Sequence, residues 1–227
     1  MEAVRAQQKP GRSYLFIKRA FDLLLSVAVL VLLSPLFALI AILIRMSSPG
    51  PILFRQKRLG KNASVFTIFK FRTMVVHTAA TLADRVTYST DPRITPVGRL
   101  LRDFRLDELP QLFNVIRGEM SIVGPRPLTP DFYPYYSERD KERLAMPPGI
   151  TGWQQVNGAS NHTWAQRIDL DVWYVHHASL WLDLQIISKT IPVALTREGV
   201  YASDGSQLSG VPDALRATLR EGINIDR

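Results

Sequence analysis

The sequence predicts a membrane-associated, monotopic α/β fold: a re-entrant N-terminal helix-break-helix, then a cytosolic globular domain with a small sheet and amphipathic interfacial helices. Three observations carry this. Leu23 to Ile44 runs for 22 residues without a charge. Pro51 to Arg58 and Val65 to Phe71 each alternate apolar and polar residues, with Gly60 between them, as a short strand pair does. From Pro96 onward, apolar residues recur at helical spacing between Pro and Gly breaks.

As helix, the uncharged run is roughly 33 Å long at about 1.5 Å per residue, enough for a hydrocarbon core of about 30 Å. Ser34-Pro35 divides it into halves. Proline removes a backbone donor and clashes with the preceding turn, so a kink is expected there, with the Ser34 hydroxyl available to a freed carbonyl. Arg5, Lys9, Arg12, Lys18 and Arg19 precede the run; Arg45, Arg55, Lys57, Arg58 and Lys61 follow it. Lys and Arg favour the cytoplasmic side, and a segment that enters and returns puts both ends there. A straight or mildly kinked spanning anchor is the alternative. A cleaved signal peptide is disfavoured by the length and by the lack of a small-x-small site.

The elements follow in order. Residues 1–45 form a basic lead and the membrane helix, 46–195 a catalytic-size domain, and 196–227 a polar tail. Ser47-Ser-Pro-Gly-Pro51 ends the anchor as a turn. After the strand pair, Thr73 to Ala83 is read as helical. Thr95 is placed as N-cap and Pro96 at the first position of a helix striped by Val97, Leu100, Leu101 and Phe104. Asp107-Glu108-Leu109-Pro110 opens the next helix, with Leu109, Leu112, Phe113 and Ile116 in register and Gly118 as its stop. Gly124-Pro-Arg-Pro127 is a rigid loop, and a charged helix is expected around Glu138 to Met146. Ile150 to Val156 is read as extended, Trp164 to His177 as helix. Ser179 caps a last helix to Leu195 with Leu180, Leu184, Ile187 and Ile191 in register. Trp153, Trp164, Trp173 and Trp181 serve as core or as interfacial anchors.

The net charge of +8 and pI of about 10 suit an anionic partner: phospholipid, a phosphorylated substrate or nucleic acid. With no cysteine there is no disulfide framework, thiolate metal site or cysteine nucleophile. The four histidines lack ligand spacing, and no Walker loop, dinucleotide fingerprint or nucleophile elbow occurs.

The candidate chemistry lies between Lys70 and Arg126. Lys70 and Arg72 follow a strand; Arg93, Arg99, Arg102 and Arg105 lead to Asp107-Glu108; Arg126 sits between prolines. Guanidinium groups around an acidic pair suit a phosphorylated substrate with a divalent cation, the carboxylates holding the metal or attacking phosphorus. Asp107 equally fits an N-cap, Glu108 a helix-dipole partner, and the arginines a lipid-facing patch. A tethered basic binding module and a non-catalytic scaffold are therefore rival readings.

Lys18-Arg-Ala-Phe-Asp22, Ser34-Pro35, Lys70-Phe-Arg-Thr-Met74, Asp91-Pro-Arg-Ile-Thr95, Leu106-Asp-Glu-Leu-Pro-Gln-Leu112, Gly118 to Pro127 and Pro148-Gly-Ile-Thr-Gly152 occur in that order. Over about residues 14–195 the chain resembles the bacterial sugar transferase family, the small monotopic polyprenyl-phosphate phosphoglycosyl transferases. The resemblance implies transfer of a hexose 1-phosphate from a UDP-sugar to undecaprenyl phosphate with release of UMP, at the cytoplasmic face of the bacterial inner membrane. It implies Asp107 as nucleophile, forming a phosphosugar-aspartyl intermediate, and Glu108 as a ligand of Mg²⁺. Lys70, Arg72, Arg102 and Arg126 are expected to contact phosphates, Asp107 or the metal. Arg93 and Arg99 are expected to pair with carboxylates such as Asp91 and Asp103, and Asp169 and Asp171 to be structural. The resemblance also implies the re-entrant form of the anchor. Membrane phospholipid is an expected partner, nucleic acid is not, and the tail either wraps the domain or mediates homo-oligomerisation. Two departures, Leu128 and Ala159, stand where many relatives carry Glu and Arg, and bear on substrate identity.

Overall fold

A computed structural model describes residues 10–76, 91–158 and 162–196. It is a mixed α/β fold with two small sheets. Helix α1 (Arg12–Leu32) and helix α2 (Ser34–Ser47) meet at Leu33 and are bent by 63°. Among the described residues no single helix is long and apolar enough to cross a membrane; the bent pair together meets that length and composition. The break has the predicted cause: Pro35 opens α2, and Ser34 Oγ donates to the Val31 carbonyl at 2.8 Å.

The inward face of α1 is polar. Lys18, Asp22 and Ser26, four residues apart, are buried, whereas Phe16, Leu24 and Val31 are exposed. Burial of charge is offset by partners from distant segments. Lys18 Nζ lies 2.8 Å from Asp183 Oδ2. Asp22 accepts from Ser121 Oγ at 2.7 Å and from the Ile122 amide at 3.1 Å. Arg19 donates to the Val115 and Ile116 carbonyls at 2.5 and 2.9 Å.

Strands β1 (Leu53–Leu59) and β2 (Val65–Phe71) form an antiparallel pair with Leu53 opposite Phe71, turned near Gly60 as predicted. The reading of a helix from Thr73 is corrected. Thr73 to Val76 is extended, bridging Met74 to Ile94 and accepting the Thr95 amide at the Thr73 carbonyl. The rest of that segment falls outside the described residues. Helix α3 (Pro96–Asp103) is capped by Thr95, whose Oγ1 accepts from the Gly98 amide at 2.9 Å. Helix α4 (Gln111–Arg117) ends at Gly118 with φ 84°, a left-handed stop that glycine adopts without strain. Its buried face is Gln111, Leu112, Asn114 and Val115; Phe113 is exposed, so the predicted stripe is rotated.

Strands β3 (Ser121–Val123) and β4 (Gly149–Thr151) pair in parallel. Between them, two 3-10 turns (Pro130–Tyr135 and Glu142–Ala145) flank helix α5 (Glu138–Lys141) where one longer charged helix was expected. The capping box at Ser137 opens α5, and from Glu142 the chain tightens into a 3-10 turn, so the expected helix around Glu138 to Met146 is split in two. The stretch predicted as extended to Val156 stops at Thr151; Trp153–Val156 is a helical turn, α6.

Helix α7 (Trp164–His177) and helix α8 (Leu180–Thr196) follow as read, with Ser179 Oγ accepting from the Leu182 amide. The α8 register is corrected. Leu182, Asp183 and Ile186 face inward, while Leu184 and Ile191 are 49% and 62% exposed. Asp183 is what turns the helix, because its carboxylate is held by Lys18 and by Tyr174 Oη at 2.6 Å. Phe66, Ile68, Val115, Met120, Val123, Tyr174 and Ile186 form the main core between α1, α4, α8 and β2. A further cluster joins Ile40 and Ile44 of α2 to Phe71 and Leu101. The tail lies outside the described residues.

Candidate active site

The acidic pair lies in a 3-10 turn, Leu106–Glu108, between α3 and α4. Arg105 precedes it with φ 55° and ψ 18°, a left-handed conformation uncommon for a residue with a side chain. That reversal redirects the chain from α3 into the turn. Asp107 caps no helix: Pro110 precedes α4, and no side-chain cap is present there. The capping alternative is therefore set aside by the geometry.

Glu108 is gripped by two cations. Lys70 Nζ, at the end of β2, lies 2.6 Å from Glu108 Oε1, and Arg126 Nη2 lies 3.5 Å from the same oxygen. Burial opposes ionisation of Glu108, but Lys70 and Arg126 hold it well below the usual carboxylate range. The neighbouring carboxyl goes the other way. Burial pushes Asp107 up to about 6; Lys70 pulls it down and the Glu108 charge pushes it up again. Arg102 and Arg126 add smaller pulls. Asp107 thus remains mostly ionised at neutral pH, with the higher proton affinity of the two.

Of the four expected basic residues, Lys70, Arg102 and Arg126 act on the pair. Arg102 Nε is itself fixed by Thr73 Oγ1 at 2.8 Å. Arg72 goes elsewhere. Its Nη2 donates to the Ser48 carbonyl at 2.6 Å, to Ser48 Oγ at 3.1 Å and to the Ile44 carbonyl at 3.3 Å, closing the C-terminal end of α2. Lys70, near the end of β2, and Arg72, just past it, take different jobs. Ser34 and Pro35 form the helix break and are not part of this cluster. Arg93 pairs with Asp91 at 2.7 Å, Asp169 with Arg139 at 2.8 Å, and Asp171 with Arg143.

A shallow cleft opens beside the pair, lined by Arg58, Lys70, Glu108, Gln111, Arg126 and Gly149 among others. Arg58 and Gln111 were not anticipated at the site. Arg58 had been counted only as a charge flanking the membrane segment, and Gln111 carries no signal beyond its adjacency to the Leu-Pro turn. Arg105 also faces both carboxylates.

Among the described residues no cluster of three or more potential metal ligands occurs. The donor set still fits Mg²⁺, which takes one or two carboxylates and completes its shell with water and substrate phosphate. Lys70 and Arg126 both engage Oε1 of Glu108, which leaves Oε2 to a cation.

A family model described as bacterial sugar transferase matches residues 13–197. The chain is 40% identical over 193 residues to the uncharacterized sugar transferase EpsL of Bacillus subtilis, covering 84% of this chain and 93% of that protein. It is 45% identical over 185 residues to the undecaprenyl-phosphate glucose phosphotransferase of Komagataeibacter xylinus, covering 77% of this chain but 35% of the relative. The undecaprenyl-phosphate galactose phosphotransferase of Salmonella typhimurium is 37% identical over 204 residues, 84% of this chain and 43% of its own length.

Proposed function

The chain belongs to the bacterial sugar transferase family, and from that premise we propose that it transfers a hexose 1-phosphate from a UDP-sugar to undecaprenyl phosphate, with release of UMP. The relatives named as undecaprenyl-phosphate glucose and galactose phosphotransferases support this reaction class. The reading places the protein at the cytoplasmic face of the inner membrane, where it starts assembly of a lipid-linked glycan.

One observation carries the assignment of roles: Lys70 Nζ and Arg126 Nη2 both engage Glu108 Oε1, at 2.6 and 3.5 Å, while Asp107 lies beside it in the same turn. Burial raises the proton affinity of Asp107, and the two cations hold Glu108 ionised. Asp107 is the more basic carboxylate and is ionised at neutral pH, as a nucleophile must be. Glu108 is a permanent anion, suited to hold cations through the cycle.

In the first step Asp107 Oδ attacks the β-phosphorus, the bond from that phosphorus to the bridging oxygen breaks, and UMP leaves with the electron pair. The product is an acyl phosphate between Asp107 and the hexose. In the second step a phosphate oxygen of undecaprenyl phosphate attacks the same phosphorus. The Asp107 carboxylate is expelled, and the lipid diphosphate sugar forms. Lys70, Arg102 and Arg126 offset the negative charge that would otherwise repel the incoming carboxylate. Glu108 would hold Mg²⁺, which would supply positive charge against the substrate's phosphates. A covalent intermediate lets a soluble donor and a membrane-held acceptor use one site in turn.

The test is to incubate the protein with a panel of UDP-sugars and Mg²⁺ but no acceptor. UMP release in an amount equal to enzyme, and a mass increase of one hexose phosphate on Asp107, are expected. Asp107→Asn should abolish both. Turnover to lipid product with no adduct on Asp107 would overturn the nucleophile, and silence with all donors and acceptors would overturn the reaction.

A further inference from the structure

The loop Gly124–Pro127 carries Arg126 into the cleft, and its backbone is held at every residue. The Gly124 amide donates to the Thr151 carbonyl at 2.9 Å, and the Gly149 amide donates to the Pro125 carbonyl at 2.9 Å. Arg58 Nη1 donates to the Pro127 carbonyl at 3.1 Å. Two of the loop's residues are prolines, whose fixed φ removes further freedom. A side chain at position 124 is barred, because a Cβ there would lie 2.5 Å from the Pro147 carbonyl oxygen.

The grip at Arg126 itself differs in kind. Arg143 Nη2 donates to the Arg126 carbonyl at 2.7 Å and, with the same nitrogen, to the Asp171 carboxylate. Arg143 Nη1 donates to Tyr136 Oη at 2.6 Å. Arg143 and Asp171 are 3% and 1% exposed, and come from the 3-10 turn before β4 and from α7. A buried ion pair is costly to assemble and is weak evidence for stability alone. This one holds the main-chain carbonyl of the residue whose guanidinium reaches Glu108.

We infer that Asp171 and Arg143 are positioning residues for the reaction: their ion pair clamps the Arg126 backbone so that its guanidinium points at Glu108 and at substrate phosphate. The inference rests on the proposed role of the dyad. Neither residue itself lines the cleft beside Glu108, and both act through Arg126. The phosphate group that Arg126 meets is held in the same place from substrate to transition state only while the clamp holds. A misplacement of about 1 Å of such a group costs on the order of 10²-fold in rate.

The experiment is a double-mutant cycle on the full chain in detergent or nanodiscs. Arg126→Ala, Asp171→Asn and the double variant are compared for UMP release, and for binding of inorganic pyrophosphate with Mg²⁺ by calorimetry. Asp171→Asn should lower kcat by about 10–100-fold and weaken pyrophosphate about tenfold. In the Arg126→Ala background it should cost less than about twofold in either quantity, because the residue it positions is gone. Asp171→Asn leaves Arg143 unpaired and endangers folding, so Asp171→Asn with Arg143→Met, which removes both charges, is run beside it and should show the same coupling. Losses that multiply with Arg126→Ala, unchanged kcat and pyrophosphate affinity in the folded variants, or no pyrophosphate binding by the wild type overturn the clamp. Wild-type protein that binds pyrophosphate but releases no UMP sinks the reaction and leaves the clamp to be decided by the binding arm.

Discussion

Replacing Lys70 with Met keeps an apolar stem of similar length and removes one charge beside both carboxylates. Lys70 is the strongest pull holding Asp107 down to about 6 against burial. An opposite charge at close range holds a carboxyl down by about 1–3 units, so losing it raises the proton affinity of Asp107 further. The sign follows: as the proposed nucleophile, Asp107 acts when ionised, so a higher proton affinity moves the acidic limb of the rate profile to higher pH. At pH 7 a carboxyl titrating near 6 is about nine-tenths ionised, and a rise of about 1–3 units leaves about one half to one hundredth ionised. The rate at pH 7 should therefore fall roughly 2–100-fold from this cause, and recover as the pH rises. Single-turnover UMP release from pH 5 to 9 at fixed Mg²⁺ reads the limb directly. Lys70→Arg should keep it near 6. A limb that stays put in Lys70→Met, or moves down, refutes the electrostatic argument, and a loss that no pH restores shows Lys70 acting by contact alone.

Other perturbations read other parts of the fold. Asp183→Ala removes the partner of Lys18, Tyr174 and Tyr14; stranding a buried ammonium costs about 3–5 kcal/mol, a fall on the order of 10 °C in thermal midpoint. Gly98→Ala would set a Cβ 1.9 Å from the Thr73 carbonyl oxygen, so α3 cannot seat, and limited proteolysis should cut between β2 and α4. With the chain in vesicles, single cysteines at Gly11 and Asn62 should both react with a membrane-impermeant thiol reagent from the cytoplasmic side; labelling of the two from opposite sides would make the helix pair a spanning anchor. Arg19→Met strips two carbonyls at the end of α4 of a charged donor, worth about 1.5–3 kcal/mol, and chemical denaturation should register it.

Elements with local signals were legible in the sequence. Thr95-Pro96, Gly118 and the turn at Gly60 act within a few residues of themselves, and each sits where its chemistry put it. The dyad was legible as a cluster of charge, and so was the Ser34-Pro35 break. What was hidden depends on partners far along the chain. Nothing near Lys18 or Asp22 announces an inward polar stripe, since their partners Asp183 and Ser121 are 165 and 99 residues away. The α8 register went astray for the same reason, because a helix apolar on two faces is oriented by its one buried carboxylate. Arg72 looked like a phosphate ligand by neighbourhood with Lys70, but the carbonyls that α2 leaves open at its end claim it.

That last displacement explains how the bent helix pair and the reactive turn become one mechanical unit. Near the end of β2, Lys70 reaches Glu108, while Arg72, just past the strand, reaches the last carbonyls of α2. On the other side, Arg19 of α1 grips the end of α4, the helix that begins directly after the reactive turn. Both arms of the bent pair are thus tied by arginine to segments that border Asp107 and Glu108. Both ties include main-chain carbonyls, whose position does not depend on a neighbour's side chain. If the pair sits in a bilayer, the depth of the dyad is set by these two contacts, and not by the net charge of the domain. Losing one arginine should therefore tilt the turn relative to the lipid. That raises the apparent KM for the lipid acceptor while the rate of the first step with soluble donor is retained. A variant that slows both steps equally would show that the arginines stabilise the fold without setting depth.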